Sequence, residues 1–100
     1  MARSFVDATA SGNTQVVAAQ GENVRILVYA VAVISNTAIT VRFQSGTTNI
    51  SAGFPVSANG GWVMSENRKG WFQTEPNEAL NINLSGAATV GCQITWSRRN

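Results

Sequence analysis

The chain contains no histidine and a single cysteine, Cys92. Without imidazole, no Ser-His-Asp or Cys-His nucleophile system of the usual kind can be assembled, and the ordinary proton shuttle near neutral pH is missing. One thiol cannot close an internal disulfide, nor can it build a zinc site of thiolates and imidazoles. The carboxylates are Asp7, Glu22, Glu66, Glu75 and Glu78. Glycoside hydrolysis needs two of them across a cleft, one with a raised pKa. Only Glu75 and Glu78 are close in sequence, and they bracket a turn, Glu75-Pro76-Asn77-Glu78, where solubility accounts for them. Calcium needs several converging oxygens, and no Asp-rich loop supplies them. The expectation is a protein that is not an enzyme, with no cofactor and no metal.

The aromatic residues offer recognition in place of catalysis. Trp62, Trp71 and Phe72 flank a glycine-rich stretch and the basic pair Arg68-Lys69, where exposed rings could stack on a sugar or dock into a partner. Core packing is the competing reading for each ring. Trp96 alternates with Val90, Cys92 and Ile94 along one face of a strand and is expected in the core. Cys92, on the same parity, is expected buried and unreactive, as a small hydrophobe.

Charge adds little. Seven Lys and Arg against five acids give a net charge of +2, spread over the whole length. The only basic pairs are Arg68-Lys69 and Arg98-Arg99, far from the dense basic face that neutralises nucleic-acid phosphates, so no nucleic-acid partner is expected. Asn49-Ile50-Ser51 and Asn83-Leu84-Ser85 match the glycosylation sequon, but ten asparagines in so Ser- and Thr-rich a chain produce about two such matches by chance.

The elements that must position these residues read as strands. One hundred residues make one domain, and 44% hydrophobic with 12% charged residues is a folding composition. The longest apolar stretch, residues 24–34, is interrupted by Arg25 and is well short of the roughly 20 residues of a membrane span, so no membrane partner is expected. Residues 1–7 lack the apolar region and cleavage site of a secretory signal, and the chain is expected to stay where it is made. Ser, Thr, Asn and Gln supply about a third of the chain, and helical periodicity is absent. Strand-like runs fall at 4–9, 14–19, 24–34, 38–44, 79–85 and 88–96, with shorter ones at 48–51, 54–57, 62–64 and 71–74. Ser11-Gly12-Asn13, Asn59-Gly60 and the Pro76 turn separate them, the last expected as type I. Residues 1–12 read either as a first strand or as an extended N-terminal arm. The predicted architecture is all-β: an antiparallel two-sheet β-sandwich, jelly-roll-like, of about eight strands, as a single domain over 1–100.

Residues 24–34 carry apolar side chains on both parities. Val24, Ile26, Val28, Ala30, Ala32 and Ile34 lie on one side and Leu27, Tyr29, Val31 and Val33 on the other. A strand covered on both faces reads this way. One face must be core, and the other must meet a further layer or a partner; Tyr29, Val31 and Val33 are assigned to an oligomer interface.

The order of segments resembles the head decoration, or cement, proteins of tailed bacteriophages. The carrying residues are Val41-Arg42-Phe43-Gln44-Ser45-Gly46, Ala58-Asn59-Gly60-Gly61, Gly70-Trp71-Phe72-Gln73-Thr74 and Glu78-Ala79-Leu80-Asn81-Ile82-Asn83-Leu84-Ser85, then a last strand ending in an aromatic. The likeness spans about residues 14–96 and includes no catalytic signature. It implies a structural virion protein on the outer capsid surface, made in the bacterial host cytoplasm. Its implied partners are the major capsid protein and copies of itself, a homotrimer in preference to a homodimer. Capsid or partner contacts are placed on Arg3 and Phe5 and on Trp62, Arg68, Lys69, Trp71 and Phe72. Similar patterns occur in phage tail and fibre modules. The rival reading is a carbohydrate- or receptor-binding module, with Trp62 and Trp71 as platforms and Asn81, Asn83 or Gln73 as hydroxyl partners.

Overall fold

A computed structural model describes residues 2–100, and all regular structure in it is β. Ten strands run in chain order: β1 (Ala2–Ala8), β2 (Gly12–Val17), β3 (Arg25–Ser35), β4 (Ile39–Ser45), β5 (Thr48–Asn49), β6 (Phe54–Val56), β7 (Gly60–Met64), β8 (Phe72–Gln73), β9 (Leu80–Leu84) and β10 (Val90–Arg99). Sheet A has the order β1-β10-β3-β7, with β8 also on β3; sheet B has the order β2-β9-β4-β5, with β6 also on β4. Every pairing is antiparallel.

This is the jelly-roll order of eight positions, two of them filled by a broken strand. β5 and β6 together flank β4, and β7 and β8 together flank β3, which reconciles the ten strands with the eight expected. The N-terminal residues form an edge strand paired along its whole length, Ala2 to Trp96 through Ala8 to Val90, so the extended-arm alternative falls away. β1 belongs to sheet A and β2 to sheet B, so the chain changes sheet between them.

Alternation explains the core. On β4, Val41, Phe43 and Ser45 are buried; on β9, Leu80, Ile82 and Leu84; on β10, Val90, Cys92, Ile94 and Trp96. These side chains meet between the sheets, each contributing roughly 1.5–3 kcal/mol when fully buried if it is a large aliphatic or aromatic. Phe43 is wholly buried, stacked on Phe72 at 5.1 Å between ring centres and edge-on to Trp62 at 6.2 Å. The buried hydroxyls are all used: Thr74 accepts from the Ile26 amide, Ser45 donates to Glu78 and accepts from the Glu75 amide, and Ser35 closes a local turn with Thr37.

The long strand β3 departs from simple alternation. Ile26 and Val28 face the core, but so do Val31, Val33 and Ser35, an odd step that no regular strand permits. The register shows why: Thr95 pairs with Ala30 and Trp96 with Val28, so Tyr29 is an extra residue, a bulge. The assignment of Val31 and Val33 to an oligomer interface is therefore corrected. Both are within 2% of full burial, and the outward set beyond the bulge is Ala30, Ala32 and Ile34. Tyr29 is half-buried, its hydroxyl 2.7 Å from that of Ser97.

A second correction concerns the Pro76 turn. Asn77 has φ 58°, the positive value that a type II turn requires at its third position and a type I turn lacks. Asn tolerates this left-handed conformation better than other non-glycine residues.

Candidate interaction surfaces

Two surfaces stand out, both on sheet A. The first is its outer face, whose rows follow from the register. Phe5 lies beside Gln93, Gln93 beside Ala32, and Ala32 beside Val63; the next row runs Asp7, Gly91, Ile34, Gly61. Phe5, Ile34 and Val63 are 79%, 64% and 74% exposed, an unusual outlay of large apolar side chains on one face. Between them the strands carry small residues. Gly91 and Ala32 leave a hollow of about 310 Å³ flanked by Phe5 and Ile34, and a second of about 290 Å³ adjoins it through Ala32 and Gln93. Gly61 is required here by close approach. A Cβ on it would lie 1.9 Å from the Val33 carbonyl oxygen.

The second surface is a cleft of about 410 Å³ at the other end of β3, lined by Arg25, Lys69, Trp71, Gln73, Arg99 and Asn100 among others. Its wall is the connection between β7 and β8, which folds over the outer face of the sheet. Asn67 donates its amide to the Tyr29 carbonyl at 3.0 Å and Trp71 donates to that of Val28 at 2.8 Å, fastening both ends of the crossing. Gly70, at φ 84°, rests on Leu27, where a Cβ would meet the Leu27 side chain at 2.4 Å. Leu27 is buried for this reason, although its parity faces outward. The Trp71 indole N–H donates to the Ser65 carbonyl at 2.8 Å, which holds the ring while leaving it 45% exposed.

The expected contact residues divide between these surfaces and the core. Arg3 and Phe5 lie two residues apart on β1, on the outer face, and Arg68, Lys69 and Trp71 are exposed. Trp62 and Phe72 belong to an aromatic cluster at the sandwich edge: Trp62 lies 4.6 Å from Phe54 between ring centres, and Phe72 stacks on Phe43. The rival constellation is split. Asn81 and Asn83 lie on sheet B, where their amides donate to the Gly46 carbonyl and to Asn13, each at 2.7 Å. Only Trp71 and Gln73 share a cleft.

Ile34 and Val63 join this face although the sequence does not single them out as contacts. Val63 had a signal, an aliphatic residue between Trp62 and Met64 on the opposite parity. Ile34 had none, because the bulge reverses its face. The two acids that bracket the Pro76 turn serve structure: Glu75 pairs with Arg25 at 3.5 Å and Glu78 accepts from Ser45. Cys92 is buried, and desolvation pushes its thiol pKa up to about 12. It stays protonated at neutral pH, which leaves it a poor nucleophile. Among the described residues no cluster of three or more His, Cys, Asp or Glu could hold a metal ion.

No protein-family model matches the chain, and no curated protein sequence does. Among solved structures, the crystal structure of PirA is similar in fold, with a TM-score of 0.50 at 16% identity, covering 93% of this chain and 93% of that one. At that identity the likeness is one of architecture.

Proposed function

We propose that the protein is a structural virion protein, a head decoration or cement protein that self-associates through the outer face of sheet A and clamps neighbouring major capsid proteins on the outer surface of a tailed-phage head. The observation that carries this reading is the exposed trio Phe5, Ile34 and Val63 beside a hollow floored by Gly91 and Ala32. A projecting ring next to an unfilled depression is self-complementary: about a two-fold axis, each copy's Phe5 enters the other's hollow. The geometry favours a dimer over the trimer that the resemblance implies.

Magnitude sets the regime. Burying six such side chains gains on the order of 10 kcal/mol, while association costs roughly 4–15 kcal/mol. Free copies therefore associate weakly, and many copies on a symmetric shell hold through multivalency. A clamp that binds only the expanded shell stabilises it by mass action. The exposed Arg68, outside the lining of the 410 Å³ cleft, is then free for the capsid protein.

The test joins light scattering with co-sedimentation on expanded capsids stripped of decoration. A concentration-dependent dimer that pellets in fixed ratio to capsid sites is expected. A strict monomer that ignores capsids would shift the assignment to the tail-borne binding module, a reading favoured by the pairing of Trp71 with Gln73 in one cleft.

A further inference from the structure

We propose that the cleft between the 69–73 segment and the end of β10 binds an anionic sugar, a pyranose carrying one carboxylate or phosphate, with Arg25 and Arg99 holding the anion and Trp71 holding the ring. This site is separate from the face of Phe5 and does not depend on self-association.

The charge arrangement asks for an anion. Arg25 and Arg99 are direct cross-strand partners, so two guanidinium groups leave the same face of adjacent strands. Like charges so placed repel one another. Lys69 brings a third cation from the loop above. Against these stands one carboxylate side chain, that of Glu75, 64% exposed and reaching Arg25 at 3.5 Å; the Arg99 and Lys69 side chains have no ion-pair partner among the described residues. A bound carboxylate or phosphate between the two guanidinium forks relieves the repulsion and accepts directed hydrogen bonds from both.

The rest of the cleft suits a ring bearing hydroxyls. Trp71 offers an exposed aromatic surface whose position is set before any ligand arrives by its indole bond to Ser65, its amide bond to Val28 and the seat of Gly70 on Leu27. Such preorganisation reduces the entropic cost of binding. Gln73 and Asn100 supply amide donors and acceptors on the same lining, and about 410 Å³ is room for a single pyranose. A bare anion uses the arginines and wastes the indole. A neutral sugar does the reverse.

Tryptophan emission of the full chain, followed at constant ionic strength, reads the site directly. Titrants are glucuronate, glucose 6-phosphate, glucose, acetate and inorganic phosphate. The expected result is saturable quenching by glucuronate, by glucose 6-phosphate or by both, at least ten-fold tighter than by glucose or either bare anion. The first two titrants decide between carboxylate and phosphate. Arg99→Gln, at an exposed position without an ion pair, weakens binding at least five-fold without lowering the thermal midpoint, and Trp71→Ala removes it in calorimetry. Equal binding of glucose, equal binding of acetate or phosphate, binding indifferent to Arg99→Gln, or no binding of any titrant overturns the proposal. Each of these leaves the dimer measurement standing, because Phe5 and its hollow are untouched.

Discussion

The Thr74 hydroxyl accepts the Ile26 amide proton at 2.9 Å, in a place where neither residue has any exposure to water. Just past the end of β8 the Thr74 amide still donates to the Ile26 carbonyl at 3.0 Å, and the Thr74 hydroxyl takes the place of its own carbonyl as the acceptor for Ile26. Thr74→Val keeps the shape and strands the amide, at a cost of about 1–3 kcal/mol. For a domain of this size the melting temperature falls by roughly 4–8 °C per kcal/mol. Thr74→Ser restores most of the loss, which separates the hydrogen bond from packing in a thermal melt.

Replacing apolar residues on sheet A has opposite outcomes on its two faces. Phe5→Ala and Val63→Glu leave stability within about 0.5 kcal/mol, as surface changes do, but weaken self-association at least ten-fold by analytical ultracentrifugation. Val33→Glu buries an unpaired charge and prevents folding. Self-association that survives Val63→Glu and Phe5→Glu together would falsify the proposed interface.

Alkaline pH provides an independent probe of the core. Burial raises the Cys92 thiol to about 12 in the folded chain, from the 9.0 of an exposed thiol. The contribution is complete below the unfolded pKa and is lost as pH rises toward the folded one, because only the unfolded chain sheds the proton. Denaturant titrations should show stability falling by up to about 1.4 kcal/mol per pH unit above that point. Cys92→Ala removes this component of the slope.

The β7 edge depends on one missing methyl group. Gly61→Ala drives a Cβ into the Val33 carbonyl, and the strand must move away from β3. The cost is about 2–4 kcal/mol, with Trp62 emission shifting to the red as the edge opens. Unchanged emission and stability would show that β7 can be displaced freely.

How much was legible in the sequence depends on whether the two parities differ. On β4 and β9, Val41 and Phe43 alternate with Arg42, and Leu80, Ile82 and Leu84 with Asn81 and Asn83, so face and register follow from period two. On β3 both parities are apolar, and the bulge at Tyr29 turns one set outward halfway along; a single extra residue reverses every later side chain, and nothing in composition marks it. Phe5 was legible as a contact, while Ile34 was hidden by that reversal. Leu27 is buried by a loop some forty residues away, which no local pattern encodes. The cleft was illegible for the same reason: Arg25, Lys69 and Arg99 meet only once three distant segments have been laid side by side.

Both broken strands, β5 with β6 and β7 with β8, sit on the side of the sandwich opposite β1 and β2. The molecule therefore has one seamless flank and one jointed flank. Amide hydrogen exchange should begin along the joints, where short edge strands hold by few backbone bonds, long before it reaches β10 and β3. Insertions would be tolerated in the joint at 50–53, whereas the joint at 65–71 is fastened across β3 and seated on Leu27 and would not accept them.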